Sequence, residues 1–151
     1  MSEIEKLNIR VYGLFINNQE EILLTDEKRF NTLMTKFPGG GLIPGEGTIE
    51  CLKREAEEEF GQTIEIIRHF YTTDFFQKAR FHEKQQLISI YYLARFVEPE
   101  KFRMAADPFD FEKNRGEIIS FRYKKITEIN ENELSFPIDK VVLKMLKQAK
   151  K

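Results

Sequence analysis

Between Glu55 and Glu59 the chain carries glutamate at every position but one: Glu55, Glu57, Glu58 and Glu59. On a helix, at about 100° per residue, Glu55, Glu58 and Glu59 share one arc bordering the apolar positions, while Glu57 points roughly the opposite way with Glu50. Like charges three and four residues apart cost about 0.2–0.5 kcal/mol per pair in water, and more where a sheet lowers the local dielectric. Most glutamate runs are solvated faces, but this trio lies at the edge of the buried stripe instead of the far side. Just upstream, five glycines fall between Pro38 and Gly47, with Pro44 among them. Glycines let backbone N–H and C=O groups approach a ligand closely, as phosphate and metal cradles require. A hard cation would relieve the crowding of charge. Carboxylates and backbone carbonyls are the ligands magnesium prefers, with substrate phosphates and water completing its coordination.

Counted from Gly40, five residues lead to Glu46, seven more to Arg54-Glu55-Ala56, then any residue, Glu58-Glu59, any residue and Gly61. This resembles the Nudix box, G-x5-E-x7-R-E-U-x-E-E-x-G-U with U apolar, at every position but the last. Gln62 stands where an apolar residue is usual, which leaves the buried contact at the helix exit to Ile64. The preceding Phe37-Pro38-Gly39-Gly40 agrees with the family. The resemblance implies a magnesium-dependent hydrolase that cuts a diphosphate linkage in a nucleotide-like small molecule, with manganese as a substitute metal. Carried over residue by residue, it implies that Glu55, Glu58 and Glu59 are metal ligands and that Arg54 holds a glutamate by charge-assisted hydrogen bonds. Glu46 would be an acid just outside the ligand set, and a carbonyl of Gly39-Gly40, taken as Gly40, would complete the site. Magnesium would serve as a Lewis acid on a phosphoryl oxygen and as the activator of the attacking water.

Many members add a glutamate from far along the chain. Glu117 is the candidate, because Arg115-Gly116-Glu117 leads directly into a strand-like run, and Glu112 is its substitute. Arg29 is placed to meet substrate phosphates. Nucleobases stack on aromatic side chains, and Phe75-Phe76, Phe81 and Phe109-Asp110-Phe111 are the aromatics least explained by strand alternation. Phe76 and Phe111 represent them as substrate contacts. His69 and His82 have no metal spacing and read as structural or surface residues.

The elements that must position these groups follow from pattern. Residues 8–16 and 21–25 are β-rich and are expected to form a hairpin through Asn17-Asn18, a pair that tolerates positive φ. The glycine-rich segment excludes regular structure and reads as a loop. Residues 48–60 form a helix with Ile49, Leu52, Ala56 and Phe60 on one face and Gly61 as its C-terminal cap. Residues 63–70, 85–97 and 117–123 are further strands, and Ile138, Val141, Val142, Met145, Leu146 and Ala149 mark a closing helix with Pro137 near its start. The expected fold is α/β, a Nudix-like mixed β-sheet between helices, as one domain over residues 1–151.

Composition agrees. The 151 residues, 41% hydrophobic, suffice for one core. With 24 Lys+Arg against 25 Asp+Glu the net charge of −1 provides no field for polymeric nucleic acid. No apolar run approaches the length of a membrane span, and the charged N-terminus does not read as a signal peptide, so a soluble cytoplasmic protein is expected. The lone Cys51 excludes an internal disulfide framework and any cysteine-based zinc cluster.

The leading expectation is a hydrolase of a nucleoside triphosphate or related nucleoside diphosphate derivative. A nucleotide-sugar or ADP-ribose pyrophosphatase is the alternative. Subgroups for ADP-ribose often carry a proline some fifteen residues after the box, and those for diadenosine polyphosphates a tyrosine; residues 76–79 hold neither. A non-catalytic nucleotide-sensing module is the alternative of another class, set against by intact box glutamates. The partner expected is the small substrate, and a homodimer is compatible with this reading.

Overall fold

The computed structural model of the chain describes residues 3–112, 116 and 118–149. In chain order its elements are β1 (Lys6–Phe15), β2 (Glu21–Arg29), β3 (Thr32–Lys36), β4 (Gly39–Gly41), α1 (Thr48–Phe60), β5 (Ile64–Thr72), β6 (Gln85–Phe96), β7 (Ile119–Lys125) and α2 (Pro137–Ala149). They form mixed β-sheets with flanking helices, as the α/β reading requires, but the strands are divided between two sheets. The chain resolves into two compact units.

The first unit takes the chain before Leu14 together with Gly39–Glu100. Its sheet has the order β4-β1-β6-β5, and α1 packs on β4 and β5. Val11, Leu52, Ala56, Ile64, Tyr91 and Ala94 are buried in it. The glycine segment, expected to be irregular, contributes β4, which pairs antiparallel with β1 through Tyr12↔Gly39, Val11↔Gly40 and Arg10↔Gly41. Glycine permits this rather than preventing it. Gly39 has φ +151°, and a Cβ there would lie 2.1 Å from the Val11 carbonyl oxygen, so no other residue lets the strands run this close.

Helix α1 begins where Glu50 Oε1 accepts from the Gly47 N–H at 2.9 Å, an acid in the first turn where the helix dipole favours one. It ends at Gly61, which is left-handed at φ 65° and donates its N–H to Glu57 O. The buried stripe is Cys51, Leu52, Ala56 and Phe60. Ile49, expected on that face, lies in the first turn and is 42% exposed. Gln62, the departure from the box, is buried with its Nε2 donating to Pro99 O at 3.1 Å, and Ile64 is buried beside it in sequence.

The second unit takes Leu14–Pro38 and the chain after Glu100. Its sheet places β2 between β3 and β7. The expected hairpin of residues 8–16 with 21–25 is not formed. Strands β1 and β2 lie in different sheets, and Ile16, just after β1, makes an isolated antiparallel bridge to Ile22. The turn there is an Asn17 side-chain turn, whose Oδ1 accepts from the N–H groups of Gln19 and Glu21, and positive φ falls on Glu20 instead of the asparagines. The tight hairpin is β2–β3, closed by Phe30 and Asn31 at φ 49° and 57°. Helix α2 buries Ile138, Val142, Leu143 and Leu146 and packs on the short turns Ile126–Glu128 and Glu131–Glu133. No helix among the described residues is long and apolar enough to cross a membrane.

Candidate active site

The box places its chemistry at the junction of β4 and α1, all within the first unit. Arg54 is the hub. Its Nε donates to Glu46 Oε2 at 3.0 Å and its Nη2 to Glu46 Oε1 at 2.7 Å, a side-on bidentate pair. Nη2 also donates to the Gly41 carbonyl oxygen at 3.0 Å, and Nη1 reaches Glu55 Oε1 and Glu58 Oε2, each at 3.1 Å. One guanidinium therefore ties three box glutamates to the glycine strand. Glu46 is fixed from the other side by the Ile43 N–H, which donates to its Oε1 at 2.9 Å.

The electrostatics follow this geometry. The hydrogen bond from Arg54 holds the Glu46 carboxyl down to about 2, against the opposing effect of desolvation and with help from the Ile43 N–H. Arg54 is pushed up in turn, first by Glu46 and then by Glu55. Burial drives the Cys51 thiol up to about 12, with Glu46 adding to it. Cys51 is thus a neutral packing residue whose Sγ leans on the Gly41 carbonyl oxygen at 3.5 Å.

Gly40 and Glu55 are matched in shape. A Cβ on Gly40 would come within 2.4 Å of the Glu55 carboxyl carbon and Oε1 and 2.6 Å of Oε2, so the carboxyl occupies the space that glycine leaves. Along α1, Glu55 is 15% exposed at its side chain and Glu58 58%. The Oε2 atom of Glu59 is buried and accepts no hydrogen bond, although the residue has other interactions. Glu57 is exposed on the other arc, accepting from Thr63 Oγ1 at 3.3 Å. Among the described residues no three His, Cys, Asp or Glu side chains are gathered into a ready metal cage. Two of the three expected ligands, Glu55 and Glu58, are instead drawn to Arg54.

The remaining sequence candidates belong to other parts of the chain. Glu117 lies outside the described residues, whereas Glu112, half-buried, is described. Arg29 belongs to the second unit, where its guanidinium sits over the ring of Phe30 at 5.2 Å at the tip of the β2–β3 hairpin. Phe76 is in the first unit and 61% exposed, with Phe75 less so. Phe81 lies under Arg80. Phe109 and Phe111 are neighbours in the second unit, ring centroids 6.3 Å apart. His69 bonds Thr72 Oγ1 and meets the edge of Tyr92, and His82 is an exposed turn residue. Sequence reasoning passed over Asp26 and Arg122, a buried ion pair on β2 and β7. An acid ending the apolar run Ile22-Leu23-Leu24-Thr25 and a base inside Ile119-Ser120-Phe121 were the available signals.

The family model for the NUDIX domain matches residues 6–145. The chain belongs to the NUDIX family. It is a Nudix-type pyrophosphohydrolase, acting on phosphoric anhydrides. No curated protein matches it by sequence search. Solved Nudix structures share the fold at low identity. A NUDIX hydrolase from Nitrosomonas europaea is 19% identical with a TM-score of 0.69, over 95% of this chain and 90% of that one. A MutT protein from Methanosarcina mazei Go1 is 20% identical with a TM-score of 0.70, over 97% of each chain. A UDP-X diphosphatase is 18% identical with a TM-score of 0.64, over 95% of this chain and 64% of that one. At these identities the neighbours establish the Nudix fold, and the chemistry must be argued from this chain's own box.

Proposed function

We propose that this Nudix protein is a divalent-metal-dependent hydrolase that cleaves the diphosphate linkage of a nucleoside triphosphate or related nucleoside diphosphate derivative. The observation that carries the reading is the Arg54 hub, which gathers Glu46, Glu55 and Glu58 beside Gly40. Residues that fold together only to neutralise one arginine would not need a glycine whose missing Cβ makes room for a carboxyl.

The donor set fits a hard cation. Carboxylate oxygens of Glu55, Glu58 and Glu59 and a main-chain carbonyl at Gly40 are all oxygen ligands, and magnesium is commonly held by one or two carboxylates with substrate phosphates and water supplying the rest. A preformed cage of three carboxylates is therefore unnecessary. Manganese suits the same donors. When bound, the cation supplies Lewis-acid polarisation of the phosphate oxygens. The chain's own residues do the positioning: Arg54 fixes the separation of the carboxylates, and Glu46 fixes Arg54. Glu117 is the proposed additional acid, with Glu112 as its substitute. Phe76 and Phe111 are the proposed base contacts, and Arg29 the proposed phosphate contact.

The test is a panel of nucleoside triphosphates, oxidised nucleotides, nucleotide sugars, ADP-ribose and dinucleotides, incubated with magnesium and read by product identity. Release of pyrophosphate or monophosphate from a nucleoside triphosphate, abolished by chelator, is the expected result. Cleavage confined to sugar nucleotides, or turnover that persists in excess chelator with trace metal excluded, overturns the proposal.

A further inference from the structure

Helix α1 carries most of the box, and two aromatic residues of β6 hold it at its two ends. Phe96 meets Phe60, the last residue of α1, edge to face with ring centroids 5.2 Å apart. Tyr92 lies four residues back and so on the same face of the strand. Its hydroxyl meets Thr48 Oγ1, on the first residue of α1, at 2.6 Å. Ala94, between the two aromatics on that face, is buried. All of these residues belong to the first unit.

The two ends differ in kind. The far end is an apolar contact beside the left-handed Gly61 cap. At the start, Gly47 occupies the capping position and has no side chain to offer, where Ser, Thr, Asp or Asn would ordinarily fix the first turn. Thr48 comes one residue too late to cap, and its hydroxyl goes to Tyr92 instead. The Tyr92 ring is steadied from β5: His69 meets it edge-on with centroids 5.8 Å apart, and His69 Nε2 pairs with Thr72 Oγ1 at 2.8 Å. This corner bears on the box because Glu46 lies two residues before Thr48. Glu46 takes its donors from Ile43 and Arg54, so those bonds fix the box internally. The contact between Thr48 and Tyr92 fixes it to β6, an inner strand of the sheet.

We infer that Tyr92 is a positioning residue for the box: its hydroxyl ties Thr48, and with it the start of α1 beside Glu46 and the Arg54 hub, to the sheet that carries Gly40. The inference rests on the reading of the box as a metal-dependent hydrolytic site. Tyr92 acts through Thr48 and does so as a hydroxyl, because the ring alone would pack equally well as phenylalanine. A shift of about 1 Å in groups that position a reaction can cost about a hundredfold in rate, so a loosened helix start is expected to show in metal binding and turnover before it shows in folding.

The test titrates magnesium into the full chain, reads the melting temperature at each concentration, and measures kcat and KM on the common nucleoside triphosphates in parallel. Tyr92→Phe and Thr48→Val each remove one hydroxyl and keep the shape. Each should raise the magnesium concentration for half-maximal stabilisation about fivefold and lower kcat about tenfold, with KM within about twofold. The double variant should be no worse than either single one, since the two hydroxyls act as one contact. Thr48→Ser, which keeps the hydroxyl, should restore wild-type values. Hydroxyl deletions that lower the melting temperature without metal but leave the magnesium midpoint and kcat at wild type overturn the positioning role, as do effects that multiply in the double variant. Wild type that gains stability from magnesium yet hydrolyses no nucleoside triphosphate is the failure of the nucleotide reading alone, and the comparison of midpoints still decides the role of Tyr92. Wild type with no response to magnesium overturns both.

Discussion

Arg54 and Glu46 meet side by side, Nε on Oε2 at 3.0 Å and Nη2 on Oε1 at 2.7 Å, and the same guanidinium spends its other N–H groups on Gly41, Glu55 and Glu58. The pair is eight residues apart in sequence, with the Gly47 cap and the first turns of α1 between, so the box spacing is the spacing this bidentate contact needs. Arg54→Lys tests it. A lysine ammonium is a point charge and cannot reproduce the planar fork, so Glu55 and Glu58 lose their common anchor. We expect kcat to fall about a hundredfold, roughly 2.7 kcal/mol of transition-state stabilisation. The folded state should lose only about 1 kcal/mol, because the group is partly exposed. Steady-state kinetics and urea unfolding on the same preparation separate the two effects. Equal rates for lysine and arginine would show that charge alone suffices.

The pH dependence of stability follows from the same contact. Glu46 is held down to about 2 from an ordinary value of 4.5. A depressed carboxyl stabilises the fold above its unfolded value, and the benefit is lost as pH falls through the folded one. Glu133 adds to the same window: burial pushes it up, but Lys124 Nζ and the Asn130 N–H outweigh that and leave it lowered. Stability should therefore be flat above about pH 5 and decline toward pH 2. Glu46→Gln should be less stable than wild type at pH 7 and approach it in acid. A difference between the two proteins that is constant from pH 7 to pH 2.5 would rule out the linkage.

Adjacent glycines should respond differently to alanine. At Gly40 the added methyl meets the end of the Glu55 side chain, which can swing away; at Gly39 it meets the Val11 carbonyl oxygen and the Tyr12 backbone, at φ +151°. Gly40→Ala should fold with a cost under about 1 kcal/mol, yet lose activity about a hundredfold as the carboxyl is displaced. Gly39→Ala should lose about 3 kcal/mol or more of stability, since backbone cannot yield as a side chain can. Thermal unfolding beside kcat gives both answers, and equal destabilisation by the two alanines would contradict the pairing of β4 on β1.

Some of this was legible in the sequence, and the reason differs from place to place. The helix Thr48–Phe60 and the residues of its box were readable because capping glycines and helical periodicity are local signals. Strand β4 was not, since a run of glycines reads as irregular chain; only the approach of β1, remote in sequence, makes it a strand. The β2–β3 hairpin escaped because Phe30 occupies a positive-φ turn position that sequence rules assign to Asn or Gly. The Asn17-Asn18 pair, which those rules favour, instead supplies a side-chain turn between strands of different sheets. Asp26 and Arg122 were missed for another reason. A charge in a strand reads as solvent-facing until the opposing strand is known, and β7 brings the partner from 96 residues away.

Glu58 tests the acidic arc of α1. It is the most exposed of the three box carboxylates that pair with Arg54, and that arginine one turn before it is its ion partner at 3.1 Å. Glu58→Gln keeps the shape and much of the hydrogen bonding but removes the charge that a magnesium ligand must carry. An exposed i, i+4 pair contributes about 0.3–0.5 kcal/mol, and the substitution also relieves repulsion from Glu55, which is smaller or similar. Stability without metal should thus change by less than about 0.5 kcal/mol. If the carboxylate holds metal, kcat should fall about a hundredfold or more, and the protection against thermal unfolding given by magnesium should shrink, since a ligand stabilises in proportion to its affinity for the folded state. Glu57→Gln is the matched control. It lies on the same helix, faces solvent and can still accept from Thr63, so kcat should stay within a few fold. Small, equal effects of both substitutions on an active enzyme would mean that the run is a solvated face and that the catalytic carboxylates lie elsewhere.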